Sequence, residues 1–373
     1  MTAAPFFPPA EDDDQPEIVE VKGIHLPWNE PVSSFVSRRQ KLKVQKTWLQ
    51  RLGITASLTL FILSFLVLWH IISGTDKNEL WIAFSTTGRE EIGFALLLTV
   101  VSYCLLTCYD ATALKQLRLK IRYRTTALAS FTSYAISFTL GFPVFTSGTI
   151  RYWIYSSKGL RPGQVATLTL ISGFTFWLGM GTVLSWCLLT RAEDFSQLVY
   201  YISPPIGRAI GVCTAAAFIS YLGWVSIRRR AIRIQGWKLE LPGFKLTLMQ
   251  TFIGALDTCT AAGILYSLLP EVPGIGPINF GAFLAIYVFA TFLGMASNIP
   301  GGLGVFETTL LLGLSVYPRE PVLGALLLFR FIYYLVPFIT ALALLGAYEI
   351  QKHMARISKD MLENGQEDEE QKQ

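Results

Sequence analysis

Eight apolar stretches run through this chain, and two of them are broken near their middle by proline and glycine. The later one reads FGAFLAIYVFATFLGMA over 280–296 and passes directly into SNIPGGLGVFETT over 297–309. Runs of roughly 18 or more apolar residues mark membrane spans. Inside a bilayer every backbone N–H and C=O must find a partner within the protein. Irregular backbone therefore survives there only where protein shields it or where it lines a wet cavity. A chain of this kind has to be a helical bundle that encloses its own breaks.

Composition agrees. Of the 373 residues, 52% are hydrophobic and 15% are charged, against about 25% charged in soluble domains. The fold class expected is an all-α polytopic membrane protein. The largely polar segment before the first run lacks the features of a secretory signal. Cys104, Cys108, Cys187, Cys213 and Cys259 all lie in apolar runs without metal-ligand spacing, and His25, His70 and His353 are scattered. They read as packing and flanking residues, so neither a metal nor another cofactor is expected. The net charge of +5 comes from basic clusters beside the spans. Such clusters report topology, and no nucleic-acid partner is implied.

Lys and Arg collect in cytoplasmic loops. Here they cluster at 38–51, 115–124, 158–161, 228–245 and 352–359. Placing those five inside yields six full spans, at 53–72, 92–109, 165–190, 205–226, 246–268 and 322–349, with both termini cytoplasmic. The broken segments, about 127–157 and 281–317, each begin and end on one side. Each is shorter than the roughly 40 residues that two spans require. They read as two re-entrant hairpins, one entering from each face. The flanking segments 1–44 and 351–373 read as a disordered N-terminal segment and a polar tail around a membrane domain at 45–350.

The hairpins resemble each other. Pro143 leads to Gly148 and Arg151 in LGFPVFTSGTIRYW, and Pro300 leads to Gly304 and Glu307 in ASNIPGGLGVFETT. Asp110 precedes the first hairpin and Asp257 the second, while FTFW and FRFI open the same stretch of the span that follows each. Half-repeats at about 90–190 and 246–350 of opposite orientation form an inverted repeat, as in many transporters. A helix that restarts inside a bilayer offers free N–H groups and the positive end of a dipole. The tip residues Pro143, Gly148, Asn298, Pro300, Gly301, Gly302 and Gly304 therefore suit a polar or anionic group such as a phosphate.

Ionisable residues within spans mark a pathway or a pair by default. The set here is Asp110, Arg151, Asp257, Glu307 and Arg330, with Tyr333 beside the last. An arginine at a hairpin tip has the fork geometry for a lipid phosphate, and nearby carboxylates suit a cationic headgroup or a coupling proton. Arg151 and Glu307 stand at matching places with opposite sign, so a direct pair between them is the structural alternative. No P-loop, HExxH or Ser/His/Asp arrangement appears in the sequence, which leaves lipid transport, downhill or ion-coupled, ahead of catalysis.

The phrases SYCLLTCYDATAL, SYAISFTLGFPVFTSGTIRYWIYSSKGL, FTFWLG, ASNIPGGLGVFETTLL and LLLFRFIYYLVPF occur in order. Together they resemble the membrane domain of lysylphosphatidylglycerol synthase/flippases, the multiple peptide resistance factors, and the related stand-alone bacterial inner-membrane proteins. The resemblance implies translocation of a phospholipid such as aminoacylated phosphatidylglycerol, with Asp110, Arg151 and Glu307 in the translocation region. It further implies an inner-membrane protein without the synthase domain. A separate lipid synthase is the partner this suggests, and homo-oligomers are allowed. A membrane scaffold that presents lipid to such a synthase without moving it is the second function class. The first hairpin, GFPVFTSG, departs from the looser polar phrase expected of the family.

The topology is checked by labelling. Cysteines placed at Lys158 and at Lys120 in a Cys-free background are expected to react from the cytoplasmic side alone. Reaction of Lys158→Cys from outside contradicts the first hairpin.

Overall fold

In the computed structural model the described residues are 87–370, apart from 142, 199–202, 228–230, 235–236, 241, 270–277 and 298–299. The expected first span at 53–72, the segment 1–44 and Asn298 lie outside them. The helices are α1 (Arg89–Gln116), α2 (Tyr123–Leu140), α3 (Pro143–Ser156), α4 (Pro162–Thr190), α5 (Ala192–Leu198) and α6 (Pro204–Ile227). After a short β1 (Ala231–Ile234) and β2 (Trp237–Glu240) come α7 (Phe244–Leu268), α8 (Phe280–Ala296), a 3₁₀ turn (Pro300–Gly302) and α9 (Val305–Gly313). The chain closes with α10 (Arg319–Phe329), a π turn (Arg330–Leu335) and α11 (Val336–Glu370).

Among the described residues, five helical stretches are long and apolar enough to cross a membrane: Arg89–Gln116, Pro162–Thr190, Pro204–Trp224, Phe244–Leu268 and Arg319–Met354. They coincide with five of the spans read from sequence. The segments between them, α2–α3 and α8–α9, are helices too short to be paired spans. The chain is therefore a polytopic helical membrane protein with two broken hairpins. The antiparallel β1–β2 pair, Ala231 opposite Glu240 and Ile234 opposite Trp237, is an unforeseen addition. It sits in the basic stretch after α6, where WKLE alternates apolar and charged residues at the period of a strand. The last helix also runs on to Glu370, into the segment read from sequence as a polar tail.

The spans are packed through small residues. In lipid there is no hydrophobic drive between helices, so close backbone approach supplies the attraction. At the crossing of α4 and α7, a Cβ added to Gly179 would lie 2.1 Å from the Gly254 carbonyl carbon, and one added to Gly254 would lie 2.6 Å from the Thr175 carbonyl oxygen. By contrast α6 buries little and presents Ile206, Ile210, Val212 and Ile219 outward, the pattern of a lipid-facing helix.

The first break falls earlier than the sequence suggested. Gly148 was expected at the tip, but it lies inside α3, with open space beyond a contact to Thr169 at 3.7 Å. The chain instead turns at Gly141, whose φ of 80° and ψ of −173° only glycine adopts readily. Pro143 then starts α3, because its fixed φ suits the first helical position and its missing N–H is no loss there. Thr146 Oγ1 donates to the Gly141 carbonyl at 3.0 Å and satisfies the break. Ser147 donates to the carbonyl of Pro143 within the helix.

The two glycines separate these roles. Gly179→Ala is expected to destabilise the protein by about 1–3 kcal/mol through overpacking against backbone. Gly148→Ala is expected to leave stability unchanged or slightly raised, since alanine is the better helix former. Thermal unfolding in detergent measures both.

Candidate functional site

The intramembrane charges form two pairs, and neither joins Arg151 to Glu307. Arg151 projects from α3 onto α1. Its Nε donates to Asp110 Oδ2 at 2.9 Å and an Nη to Oδ1 at 2.8 Å. Ser172 of α4 and Tyr155 of α3 donate to the same carboxylate at 3.1 and 3.2 Å. Arg151 is 1% exposed and Asp110 0%, and the guanidinium lies 4.7 Å from the ring centre of Tyr134. This is a bidentate fork with every carboxylate oxygen bonded twice. It ties the returning half of the first hairpin to α1 and α4. Asp110 lies well inside the protein, although its place near a span end left an interfacial position open.

The second pair is looser. Glu307 lies one turn into α9, and its Oε2 accepts the N–H of Gly304 at 2.8 Å, capping the restarted helix at its positive end. Arg330 Nε donates to Glu307 Oε1 at 2.7 Å, and Nη1 donates to the Gly301 carbonyl at 2.6 Å. Nη2 lies 2.5 Å from the same Oε1, so the ion pair is close on both arms of that side of the guanidinium. The ring of Tyr334 lies 4.7 Å below the guanidinium.

Between these groups lies a cavity of about 250 Å³, lined by Thr139, Gly301, Glu307, Arg330 and Tyr334 together with a wall of leucines. Its position follows from the chain. Gly301 and Gly302 have φ of 61° and 63°, so the 3₁₀ turn folds back. A Cβ on Gly302 would lie 3.1 Å from Gly294 Cα of α8, and one on Gly301 3.5 Å from the Phe138 carbonyl of α2. The tip of the second hairpin thus meets the end of the first descending helix, and the cavity opens beside that junction. Gly301 and Gly302 thus bring the turn close to backbone on two sides, while Gly304 faces open space.

A sequence model of the family described as "Lysylphosphatidylglycerol synthase TM region" matches residues 52–341. The chain belongs to this family. An uncharacterized protein of Synechocystis is 34% identical over 274 residues, covering 73% of this chain and 83% of its own length. Inner membrane protein YbhN of Escherichia coli is 28% identical over 287 residues, 76% of this chain and 88% of that protein. A phosphatidylglycerol lysyltransferase of Staphylococcus aureus is 27% identical over 298 residues, which cover 79% of this chain but only 34% of that enzyme.

Asp257, placed by sequence in the middle of its span, stands apart from both pairs. It accepts hydrogen bonds from Ser102 at 2.6 Å and Tyr109 at 2.9 Å. Ser102 lies 3.2 Å from the hydroxyl of Tyr333. Sequence reasoning missed Ser102, Tyr109, Tyr134 and Tyr334, for an apolar helix gives no sign of which hydroxyl faces a carboxylate on another helix. It also missed the π turn. The wide turn aims Arg330 at the hairpin tip and Tyr333 at Ser102.

The first pair is tested by removing its halves. Asp110→Asn or Arg151→Gln alone leaves one buried charge unpaired and is expected to cost about 3–5 kcal/mol. The double variant is expected to recover much of that loss. Thermal unfolding of the three variants is the measurement, and additive losses contradict the pairing.

Proposed function

We propose that this protein moves a phospholipid between the leaflets of a bacterial inner membrane, with the headgroup entering the cavity between the second hairpin and the last span. The observation that carries this reading is the placement of Arg330. Its guanidinium holds both the hairpin tip and Glu307, yet the side chain is 17% exposed and lines a cavity with apolar walls. A phosphate oxygen is the natural acceptor for such a fork. Glu307 then suits a cationic headgroup group, and Leu323, Leu326 and Leu327 line the side along which acyl chains stay in lipid. Arg151, saturated by Asp110, serves as frame in this reading and receives no phosphate.

The order span, broken hairpin, span recurs in both halves, 90–190 and 246–350, and favours an inverted repeat that alternates access around the junction of the hairpins. The printed name of the E. coli relative supports the inner-membrane location. The printed name of the S. aureus relative supports phosphatidylglycerol or its lysylated form as the lipid class. That the match covers only about a third of the lysyltransferase favours one other reading, a membrane scaffold that presents lipid to a separate synthase.

Leaflet exchange by the purified chain in liposomes separates the two. Exchange by the chain alone is expected. Arg330→Lys keeps the charge but loses the fork, and a charge-assisted hydrogen bond is worth about 1.5–3 kcal/mol, so exchange is expected to fall about tenfold or more. Thermal unfolding of the same variant reports any loss of the hairpin tip. Lipid binding without exchange favours the scaffold, and undiminished exchange in folded Arg330→Lys overturns the assignment of Arg330.

A further inference from the structure

Among the described residues within the spans, Asp110 is matched by Arg151 and Glu307 by Arg330. Asp257 has no cation. It is 3% exposed, near the middle of α7, and both of its oxygens face neutral hydroxyls. Ser102 and Tyr109 lie two turns apart on one face of α1, and each donates to a different oxygen. Both donors are fully buried. An ionised carboxylate without a counter-charge is costly in the interior of a membrane protein. A carboxylic acid with the same neighbours carries no such cost. Hydroxyls accept as readily as they donate, so this set of partners serves both forms.

We propose that Asp257 is a proton-binding site, alternating between carboxylate and neutral acid, and that Tyr333 of the π turn reads its state. In the carboxylate form Ser102 donates to Oδ1. When a proton from water binds Oδ1, that oxygen becomes the donor and Ser102 the acceptor. The Ser102 hydrogen then turns toward the Tyr333 oxygen, 3.2 Å away. Release of the proton reverses each step: the Asp257 O–H bond forms as an O–H bond of a hydronium ion breaks, leaving water, and breaks as the proton returns to water. Tyr333 also accepts from Tyr103 through its own carbonyl at 3.2 Å and stacks on Phe329 at 5.3 Å. A rearranged Ser102–Tyr333 contact therefore acts on the turn that carries Arg330, three residues earlier.

Among the described residues, the other titratable groups that face Asp257 are phenols: Tyr103 and Tyr109 from α1, Tyr134 from α2, Tyr287 from α8 and Tyr333 from the π turn. Phenols stay neutral over the ordinary pH range. From α4, the neighbouring polar group Ser172 is held by Asp110. The charged groups nearby are already neutralised in their two pairs, which leaves Asp257 as the group whose charge changes.

The coupling of this proton to Arg330 rests on the translocation reading, whereas the proton site does not. Infrared difference spectra of the full chain in lipid nanodiscs, recorded between about pH 5 and about pH 9, test the site directly. The expected result is a carboxylic-acid carbonyl band that titrates, is absent in Asp257→Asn, moves in frequency in Asp257→Glu and has its midpoint displaced in Ser102→Ala. Should Asp257→Asn fail to fold, the Glu and Ser102 variants carry the assignment. No band dependent on residue 257 at any pH, or a change that follows sodium at fixed pH, overturns the proposal. A titrating band in a protein that exchanges no lipid leaves the proton site standing and removes translocation.

Discussion

A helix interrupted inside a membrane exposes peptide groups that hydrocarbon cannot solvate, and the protein is built around meeting them. At the first break the Gly141 carbonyl is met by Thr146. At the second, the Gly301 carbonyl is met by Arg330 and the Gly304 N–H by Glu307. An unmet buried peptide group costs on the order of 1–3 kcal/mol on mutational scales. The first solution is local and neutral. The second brings a cation and a carboxylate to the hairpin tip from two different elements. The groups that close the second break thereby become the polar end of the cavity.

The two ion pairs differ in the same sense. Asp110 and Arg151 make a saturated fork, fully buried, with Tyr155 and Ser172 completing the carboxylate. Such a pair fixes one geometry, because breaking it strands a charge. Arg330 and Glu307 are 17% and 20% exposed, and they share their bonds with backbone. This pair reaches the cavity that both residues line. Close backbone contact between α4 and α7 at Gly179 and Gly254 holds those two spans together.

Much of this architecture was legible in the sequence. The apolar runs located five of the six expected spans, the sixth lying outside the described residues, because hydrocarbon imposes length and polarity constraints on such segments. The second tip was legible too, since PGGLG followed three residues on by Glu307 spells out a break and a cap. The first tip was misplaced at Gly148, because two glycines lay near Pro143 and sequence alone did not show which one turned the chain. Pairing was illegible. Asp110 and Arg151 lie 41 residues apart and Glu307 and Arg330 23, and like spacing with opposite sign suggested a wrong partner for each. The π turn leaves no mark in FRFIYYL beyond its aromatic density. The hydroxyls around Asp257 are ordinary helix residues until the helices meet.

The account stands on a phospholipid headgroup entering beside Arg330, and photo-crosslinking tests that most directly. A phospholipid with a photoreactive group next to its headgroup is incorporated into liposomes with the full chain, illuminated, and the adducts are mapped by mass spectrometry. The account predicts adducts on the cavity lining, at Thr139, Leu303, Leu323 and Leu327, that diminish in Arg330→Gln. Adducts confined to outward residues such as Ile206, Ile210 and Ile219 of α6, equal in both proteins, would contradict it.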